Sequence, residues 1–315
     1  MRVFTPGVCT AVLFLLAARP ALAQAESPPG KQEIPKIRVE TSLVTLDVTV
    51  LTQNGYFVPE LKKENFRILD NGVLQTITAF GEIQAPITAV LLVEHSMATE
   101  GLEYNALVAC YRFLKVLQPD DWAALVLFDK RPNLAQDFTQ DKTAVQAALR
   151  HLDIPLSREI NLFDALTDTL ERLRQVEGRK YVILVATGQD TFSKAILDEV
   201  YKKIETATST VIYTVITDPS HRDRQSDNEM KTFARMTGGQ FYFASSLEEY
   251  GDVFTDIAKS VRNRYTLAFR PSNRGSEGSW HKLKVEVINP GPRGRNNKYQ
   301  VLSREGYRVG ASPGK

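Results

Sequence analysis

Side chains with oxygen donors and acceptors follow directly on the most apolar stretch of this chain. Residues 87–93 read Ile-Thr-Ala-Val-Leu-Leu-Val and run without a break into Glu94, His95 and Ser96. An apolar run of this length predicts a parallel strand that is buried on both faces. Its polar tip would lie at the carboxyl end of the sheet, where open α/β folds bind ligands. Glu94 and Ser96 are therefore the first candidates for a binding site.

No residue pattern in the chain supports catalysis. Residues 310–314 match the nucleophile-elbow pattern but lack the strand, turn and helix that would present the serine. Residues 226–228 match one penicillin-binding element without a companion motif placed to serve it. There is no phosphate loop or dinucleotide fingerprint, and the four histidines show no metal-ligand spacing. The sequence therefore predicts that the protein is not an enzyme. The histidines are His95, His151, His221 and His281.

The first 23 residues have the pattern of a secretory signal peptide. Arg2 is followed by a mostly apolar run at 8–18 and by a small-x-small cleavage site at 21–23. A retained membrane anchor is the alternative, but Arg19 and Pro20 end the apolar run well short of a bilayer span. We expect a secreted or periplasmic protein with no membrane span in the mature chain. A polar linker is predicted at 24–36.

Cysteine and charge usage set further limits. Cleavage would remove Cys9, and Cys110 is in line with Ala106 and Phe113 on one helical face, which predicts a buried, inert thiol. The mature chain would carry 37 residues of each charge sign, with 12 basic and 3 acidic residues in 261–315. We expect scattered surface arginines there and no nucleic-acid partner. Binding of an anionic glycan or lipid surface by this basic part is the alternative.

The elements that must position the candidate site alternate between strands and helices. Apolar runs at 122–128, 181–186 and 211–216 predict further buried strands. Helical signals lie between and after them, including a leucine stripe at 162–173 and a capping box at 246–249. This alternation over 86–263 predicts an α/β domain with a mainly parallel sheet and helices on both faces.

Shorter alternating strands precede and follow this section, at 37–85 and 264–309. Neither segment has enough strands to be stable alone. We therefore expect the two segments to form one β-sandwich with the α/β domain inserted between them, and residues 310–315 to be a flexible tail.

Four motifs give the α/β section a resemblance to the von Willebrand factor type A (VWA) domain. They are Val93-Glu-His-Ser96, Asn161-Leu-Phe-Asp-Ala-Leu166, Val182 to Asp190, and Met236-Thr-Gly-Gly239. The flanking segments resemble those of the secreted bacterial "VWFA-related" family, through Glu60 to Phe66, Asp70-Asn-Gly72, Arg264 to Phe269 and Arg304 to Tyr307. The resemblance covers about residues 37–309, and it implies a VWA-type, Rossmann-like fold.

The resemblance also implies a divalent-metal site built from three loops, and this chain departs from it on each loop. The family's Asp, Ser and Ser correspond to Glu94, Ser96 and Ala98; its Thr corresponds to Ile160; and its third-loop Asp corresponds to Thr187. A Mg²⁺-type ion needs hard oxygen ligands in near-octahedral geometry. We therefore expect no functional metal and no cofactor. The alternative is a weak, water-rich divalent site on Glu94, Ser96 and Thr187.

VWA-like domains engage proteins through the loops at the carboxyl end of the sheet, so the resemblance implies a protein partner. The expected partner-binding face consists of Glu94, His95, Ser96, Met97, Arg158, Asn161, Thr187 and Phe192, with Arg222 as a further candidate. The leading hypothesis is an exported, non-catalytic binding module of the adhesion type. An accessory subunit of an envelope enzyme is the alternative from another class.

Overall fold

A computed structural model describes residues 43–82, 85–99, 103–155, 157–217, 223–273, 275–288 and 298–310. The predicted signal peptide, the linker, residues 37–42, Arg222 and residues 311–315 lie outside the described residues. Among the described residues, no helix has the length and apolar character needed to cross a membrane.

A six-stranded sheet forms the centre of the α/β domain. Its strand order is β10-β9-β8-β5-β6-β7, and all neighbouring pairs are parallel except β6 and β7, so the edge strand β7 is antiparallel. β5 is fully buried along its length, as its apolar run predicts. The strands are β5 (Ile87–Glu94), β6 (Trp122–Phe128), β7 (Pro132–Thr139), β8 (Arg179–Ala186), β9 (Thr210–Ile216) and β10 (Phe241–Phe243).

Within the described residues, six helices cover the two faces of this sheet. The helices are α1 (Glu103–Leu114), α2 (Lys142–Arg150), α3 (Leu162–Arg174), α4 (Leu197–Thr206), α5 (Arg224–Thr237) and α6 (Leu247–Arg262). α1, α2 and α6 pack on one face, and α3, α4 and α5 pack on the other. The predicted capping box is present at α6, where Ser246 accepts from the Glu249 backbone N–H. Cys110 is buried in α1, and burial raises the pKa of its thiol to about 12, which agrees with an inert core residue.

Strands from the two flanking segments pair with one another in two four-stranded sheets. The sheet orders are β13-β1-β11-β4 and β14-β12-β2-β3. Pairing of β1 with β11 and of β2 with β12 joins the segment before the α/β domain to the segment after it. The strands are β1 (Val44–Leu51), β2 (Phe66–Asp70), β3 (Val73–Gln75), β4 (Ile77–Glu82), β11 (Tyr265–Phe269), β12 (Trp280–Val287), β13 (Gln300–Leu302) and β14 (Gly306–Arg308). The predicted fold class, an α/β domain with a mainly parallel sheet and helices on both faces, accompanied by antiparallel sheets built from both flanking segments, is confirmed.

A buried polar cluster connects three strands of the second sandwich sheet. Asp70 on β2 lies with one carboxylate oxygen 2.8 Å from His281 Nδ1, and its other oxygen accepts from the Tyr307 hydroxyl at 2.8 Å. All three side chains are buried. Because buried polar groups are costly when they are unpaired, this cluster fixes the register of β2, β12 and β14.

Removing the Tyr307 hydroxyl tests this cluster. We expect Tyr307→Phe to lower the free energy of unfolding by about 1.5 kcal/mol, because one hydrogen bond to a buried carboxylate is lost. Tyr56→Phe is the matched control, since its ring is exposed and its hydroxyl lies in solvent. Urea denaturation followed by circular dichroism measures both variants. Equal midpoints for the two would contradict a stabilising role for the cluster.

Arginines of the C-terminal segment attach the sandwich to the α/β domain. Arg304 is buried and donates to the carbonyls of Thr208 (2.6 Å) and Glu205 (3.4 Å), at the carboxyl end of α4. Arg308 donates to the Glu205 carboxylate at 2.5 Å. Arg304 satisfies backbone acceptors at this helix end and Arg308 pairs with a carboxylate there, and the helix dipole also favours positive charge at that position.

Two further arginines, at the end of α6 and the start of the C-terminal segment, also make internal contacts. Arg262 pairs with the buried carboxylate of Asp121, and the fully buried Arg264 donates to the Tyr213 hydroxyl at 2.6 Å. The basic composition of 261–315 therefore overstates the positive charge that this part of the molecule presents to solvent.

Candidate functional site

Three loops meet at the carboxyl edge of the six-stranded sheet. The first follows β5 (residues 95–99), the second precedes α3 (157–161), and the third follows β8 (187–196). Backbone hydrogen bonds join them: the Met97 N–H donates to the Ser157 carbonyl at 2.8 Å, and the Ile160 carbonyl accepts from the N–H groups of Thr191 and Phe192, both at 2.9 Å. The loops therefore form one connected surface and not three independent segments.

The Glu94 carboxylate lies beneath this surface and ties the first loop to the third. Its Oε1 accepts from the Ser96 hydroxyl at 2.7 Å. Its Oε2 accepts from both the backbone N–H and the hydroxyl of Thr187, at 2.7 and 2.8 Å. Glu94 is only 1% exposed, so these three donors replace the water that the carboxylate has lost.

Burial sets the ionisation of Glu94. Desolvation raises its pKa above the ordinary glutamate value, although the hydrogen bonds from Ser96 and Thr187 oppose this by stabilising the carboxylate. The pKa of Glu94 is raised overall. At a given pH, Glu94 is therefore protonated to a greater extent in the folded protein than in the unfolded chain.

The residues at the metal positions that the resemblance implies do not fit a divalent cation. Both oxygens of Glu94 are already engaged by protein donors, and the Thr187 hydroxyl donates to one of them. Ile160 is buried in the apolar core, and Ala98 offers no side-chain oxygen. Among the described residues, no group of three or more histidine, cysteine or acidic side chains is placed to hold a metal ion.

The acidic residues near the site hold the third loop against α3. Asp190 accepts from the Phe163 N–H at 3.0 Å in the first turn of α3, and from the Ser193 hydroxyl at 2.5 Å. The loop folds back and places the Asp190 carboxylate over the amino end of α3, which precedes it in sequence, and not at the start of α4, which follows it.

Asp164 lies in the first turn of α3, where a carboxylate is favoured by the helix dipole, and it also binds the third loop. Its carboxylate accepts from the N–H groups of Ala195 (2.8 Å) and Lys194 (3.0 Å) and from the Asn161 side-chain amide (3.0 Å). Burial acts to raise the pKa of Asp164, but these hydrogen bonds outweigh it and the net direction is downward.

The structure divides the predicted partner-binding face into buried and accessible residues. Arg158 and Phe192 are exposed, whereas His95, Met97 and Thr187 are half-buried. Glu94, Ser96 and Asn161 are buried, so the prediction that these three contact a partner directly is corrected. The Glu94 carboxylate accepts from Thr187 of the third loop, Ser96 donates to Glu94, and the Asn161 side-chain amide donates to Asp164. Their contribution to the surface is to fix its shape.

Phe192 is the most prominent apolar side chain of the predicted face, at 43% exposure. Lys130 lies over its ring, 4.7 Å from the centroid, and also pairs with Glu159 at 2.7 Å. Ile196, at 61% exposure, lies further along the same loop and was not among the predicted contact residues. Large apolar groups on a well-anchored loop are typical of a surface that binds another protein.

A groove with a volume of about 760 Å³ opens beside the first loop and was not predicted. One wall is α1, and the other is formed by the end of α2 and residues 152–155. His95 and Met97 lie at its end, where His95 Nε2 is 2.7 Å from the Asp153 backbone oxygen. The sequence contained a signal for it: residues 104, 107, 108 and 111 form a second apolar stripe on α1, at helical spacing, beside the buried one.

Comparisons with known proteins give similarities in structure alone. No family model matches the chain, and no curated protein matches it. A von Willebrand factor type A structure from Catenulispora acidiphila is 8% identical with a TM-score of 0.47, over 88% of this chain and 77% of its own. The vWF domain of the type V pili tip protein Mfa5 from Porphyromonas gingivalis is 13% identical with a TM-score of 0.47, over 57% of this chain and 96% of its own.

A third solved structure, the conserved hypothetical protein BatB from Bacteroides thetaiotaomicron, is 13% identical with a TM-score of 0.43, over 56% of this chain and 99% of its own. The strand order and registers of the chain itself define its fold.

Proposed function

We propose that this protein is a non-catalytic binding module that recognises a protein partner through the carboxyl-edge loops, without a metal ion. Following the signal-peptide pattern, it acts after export, in the periplasm or outside the cell. The accessible part of its binding surface comprises His95, Met97, Arg158, Thr187, Phe192 and Ile196.

The observation that carries this proposal is the state of the Glu94 carboxylate. In a metal-dependent site the equivalent oxygen atoms must be free to bind the ion. Here three donors of the chain itself satisfy them, at 2.7, 2.7 and 2.8 Å. The same hydrogen bonds join the first and third loops, so the surface is held in shape by the protein alone.

The apolar side chains of the third loop support recognition of a protein. Phe192 and Ile196 are exposed, yet the loop that carries them is fixed to α3 through Asp164 and Asp190. Little conformational entropy is then lost when a partner covers them, which favours binding. The alternative of an anionic polymer bound by the basic sandwich is less favoured, since Arg262, Arg264, Arg304 and Arg308 are engaged internally.

Capture of a partner from the native envelope, by crosslinking to the full mature protein, tests the proposal. We expect Phe192→Ala to reduce capture of the main crosslinked protein at least fivefold, because the exposed ring supplies apolar contact area. Trp122→Ala is the matched control: Trp122 is 42% exposed, close to Phe192, but lies at the opposite edge of the sheet. Capture by the control should equal that of the wild type.

The metal-free part of the proposal has its own readout. We expect a chelator to leave capture unchanged, and isothermal titration with Mg²⁺ or Mn²⁺ to give no micromolar binding. Chelator-sensitive capture, or micromolar binding that is lost in Glu94→Gln, would show that an ion is required. Equal loss of capture in Phe192→Ala and Trp122→Ala would show that the carboxyl edge is not the binding surface.

A further inference from the structure

The groove beside the first loop has an apolar floor and open, apolar rims. Leu107 and Val108 of α1 line it, and Tyr104 and Ile154 stand on its two sides at 69% and 82% exposure. Its volume of about 760 Å³ lies within the range of binding sites. Tyr104 and Ile154 are large apolar side chains that remain exposed on both sides of the groove, which favours a segment of another protein as the occupant.

Two cationic side chains lie against the ring of one tyrosine in the groove wall. The Arg150 guanidinium lies 5.0 Å from the centre of the Tyr111 ring and donates to its hydroxyl at 2.6 Å. Lys115 Nζ lies 4.9 Å from the same ring centre. Within the described part of the chain, neither cation has a carboxylate within ion-pair distance. Asp153 also lines the groove, and its backbone oxygen is the one near His95.

These unpaired cations stand out because the surrounding domain is acidic. Residues 86–260 contain 19 basic and 26 acidic side chains. Arg150 is also preorganised, since its hydrogen bond to Tyr111 and its position over the ring restrict its rotamers. A carboxylate of a partner would therefore find a fixed guanidinium at the wall of an apolar groove.

We infer that the groove binds a partner segment that carries a large apolar side chain and, within a few residues of it, an acidic side chain. The apolar side chain lies between Tyr104 and Ile154, and the carboxylate pairs with Arg150 and Lys115. This inference rests on the proposed function and adds the chemistry of the partner, since the groove is continuous with the first loop through His95 and Met97.

Selection of a random peptide library, displayed on phage, against the full mature protein tests this. We expect the enriched peptides to share one aromatic or large aliphatic residue and one Asp or Glu. In fluorescence polarisation, Tyr104→Ala and Arg150→Glu should each weaken binding of these peptides at least tenfold. Arg172→Glu, an exposed charge reversal on α3, is the matched control and should bind as the wild type does. Unchanged melting temperatures exclude misfolding of the variants.

A charge exchange makes the test specific. When the acidic residue of the peptide is replaced by lysine, binding to the wild type should fall and binding to Arg150→Glu should recover at least fivefold. Enriched peptides without an acidic residue, no enrichment, or no recovery in the exchanged pair would overturn the inference. A natural partner whose capture depends on Phe192 but is unaffected by Tyr104→Ala and Arg150→Glu would overturn it while leaving the proposed function intact.

Discussion

Gly239→Ala is expected to lower the free energy of unfolding by at least about 3 kcal/mol, near the upper end for overpacked sites. An added Cβ would lie 1.9 Å from the Ile212 carbonyl oxygen and 2.8 Å from its carbon. Both atoms belong to the backbone of the buried strand β9, which cannot move aside as a flexible side chain would. The loss is a large part of the total stability of an ordinary domain.

The glycine in the middle of α6 supplies the control. A Cβ at Gly251 would meet only the end of the Arg112 side chain at 3.9 Å. Gly251→Ala should therefore stabilise the protein by up to about 1 kcal/mol, since alanine favours helix. Urea denaturation measures both variants. If Gly239→Ala has the midpoint of the wild type, the close packing of the turn before β10 against β9 is disproved.

Glu94→Ala is expected to cost about 3 kcal/mol and to loosen the third loop, because buried donors of Ser96 and Thr187 lose their acceptor. Glu94→Gln should cost much less. Its amide oxygen can accept from Thr187, and its amide N–H can donate to Ser96. Hydrogen exchange of residues 187–196 should accelerate in the alanine variant and remain near the wild-type rate in the glutamine variant. Equal protection in all three proteins would contradict the role of Glu94 as the connection between loops.

The pH dependence of the wild type relative to Glu94→Gln follows from the raised pKa of Glu94. The unfolded carboxyl titrates near about 4.3, and the folded one titrates at a higher pH. Between these two values the folded protein binds more protons than the unfolded chain, so stability contributed by Glu94 falls as pH rises. Wild type should therefore lose stability relative to Glu94→Gln as pH increases from about 4 through the raised pKa. A stability difference between the two proteins that stays constant, or that shifts in favour of the wild type, over this range would show that burial does not control the ionisation of Glu94.

The strand that leads to Glu94 could be predicted from sequence because its evidence is local. A continuous apolar run needs two covered faces, and alternation with helices supplies them. The pairing of the two flanking segments could also be predicted, since neither contains enough strands to form a stable sheet alone.

The hydrogen bonds of the site could not be predicted in the same way, because they join residues that are distant along the chain. Glu94 and Thr187 are brought together only by the pairing of β5 with β8. The direction in which the third loop folds back decides that Asp190 binds α3 and not α4. The groove depends on the distance between α1 and the end of α2, which apolar spacing on a single helix does not determine.

The α/β domain enters and leaves the sandwich at one place. Glu82 at the end of β4 is the register partner of Tyr265 at the start of β11, immediately after α6. Pairing of β4 with β11 therefore holds the two connections of the inserted domain side by side. The separation between the first and last described elements of that domain is set by one strand pair of the sandwich and not by the domain itself.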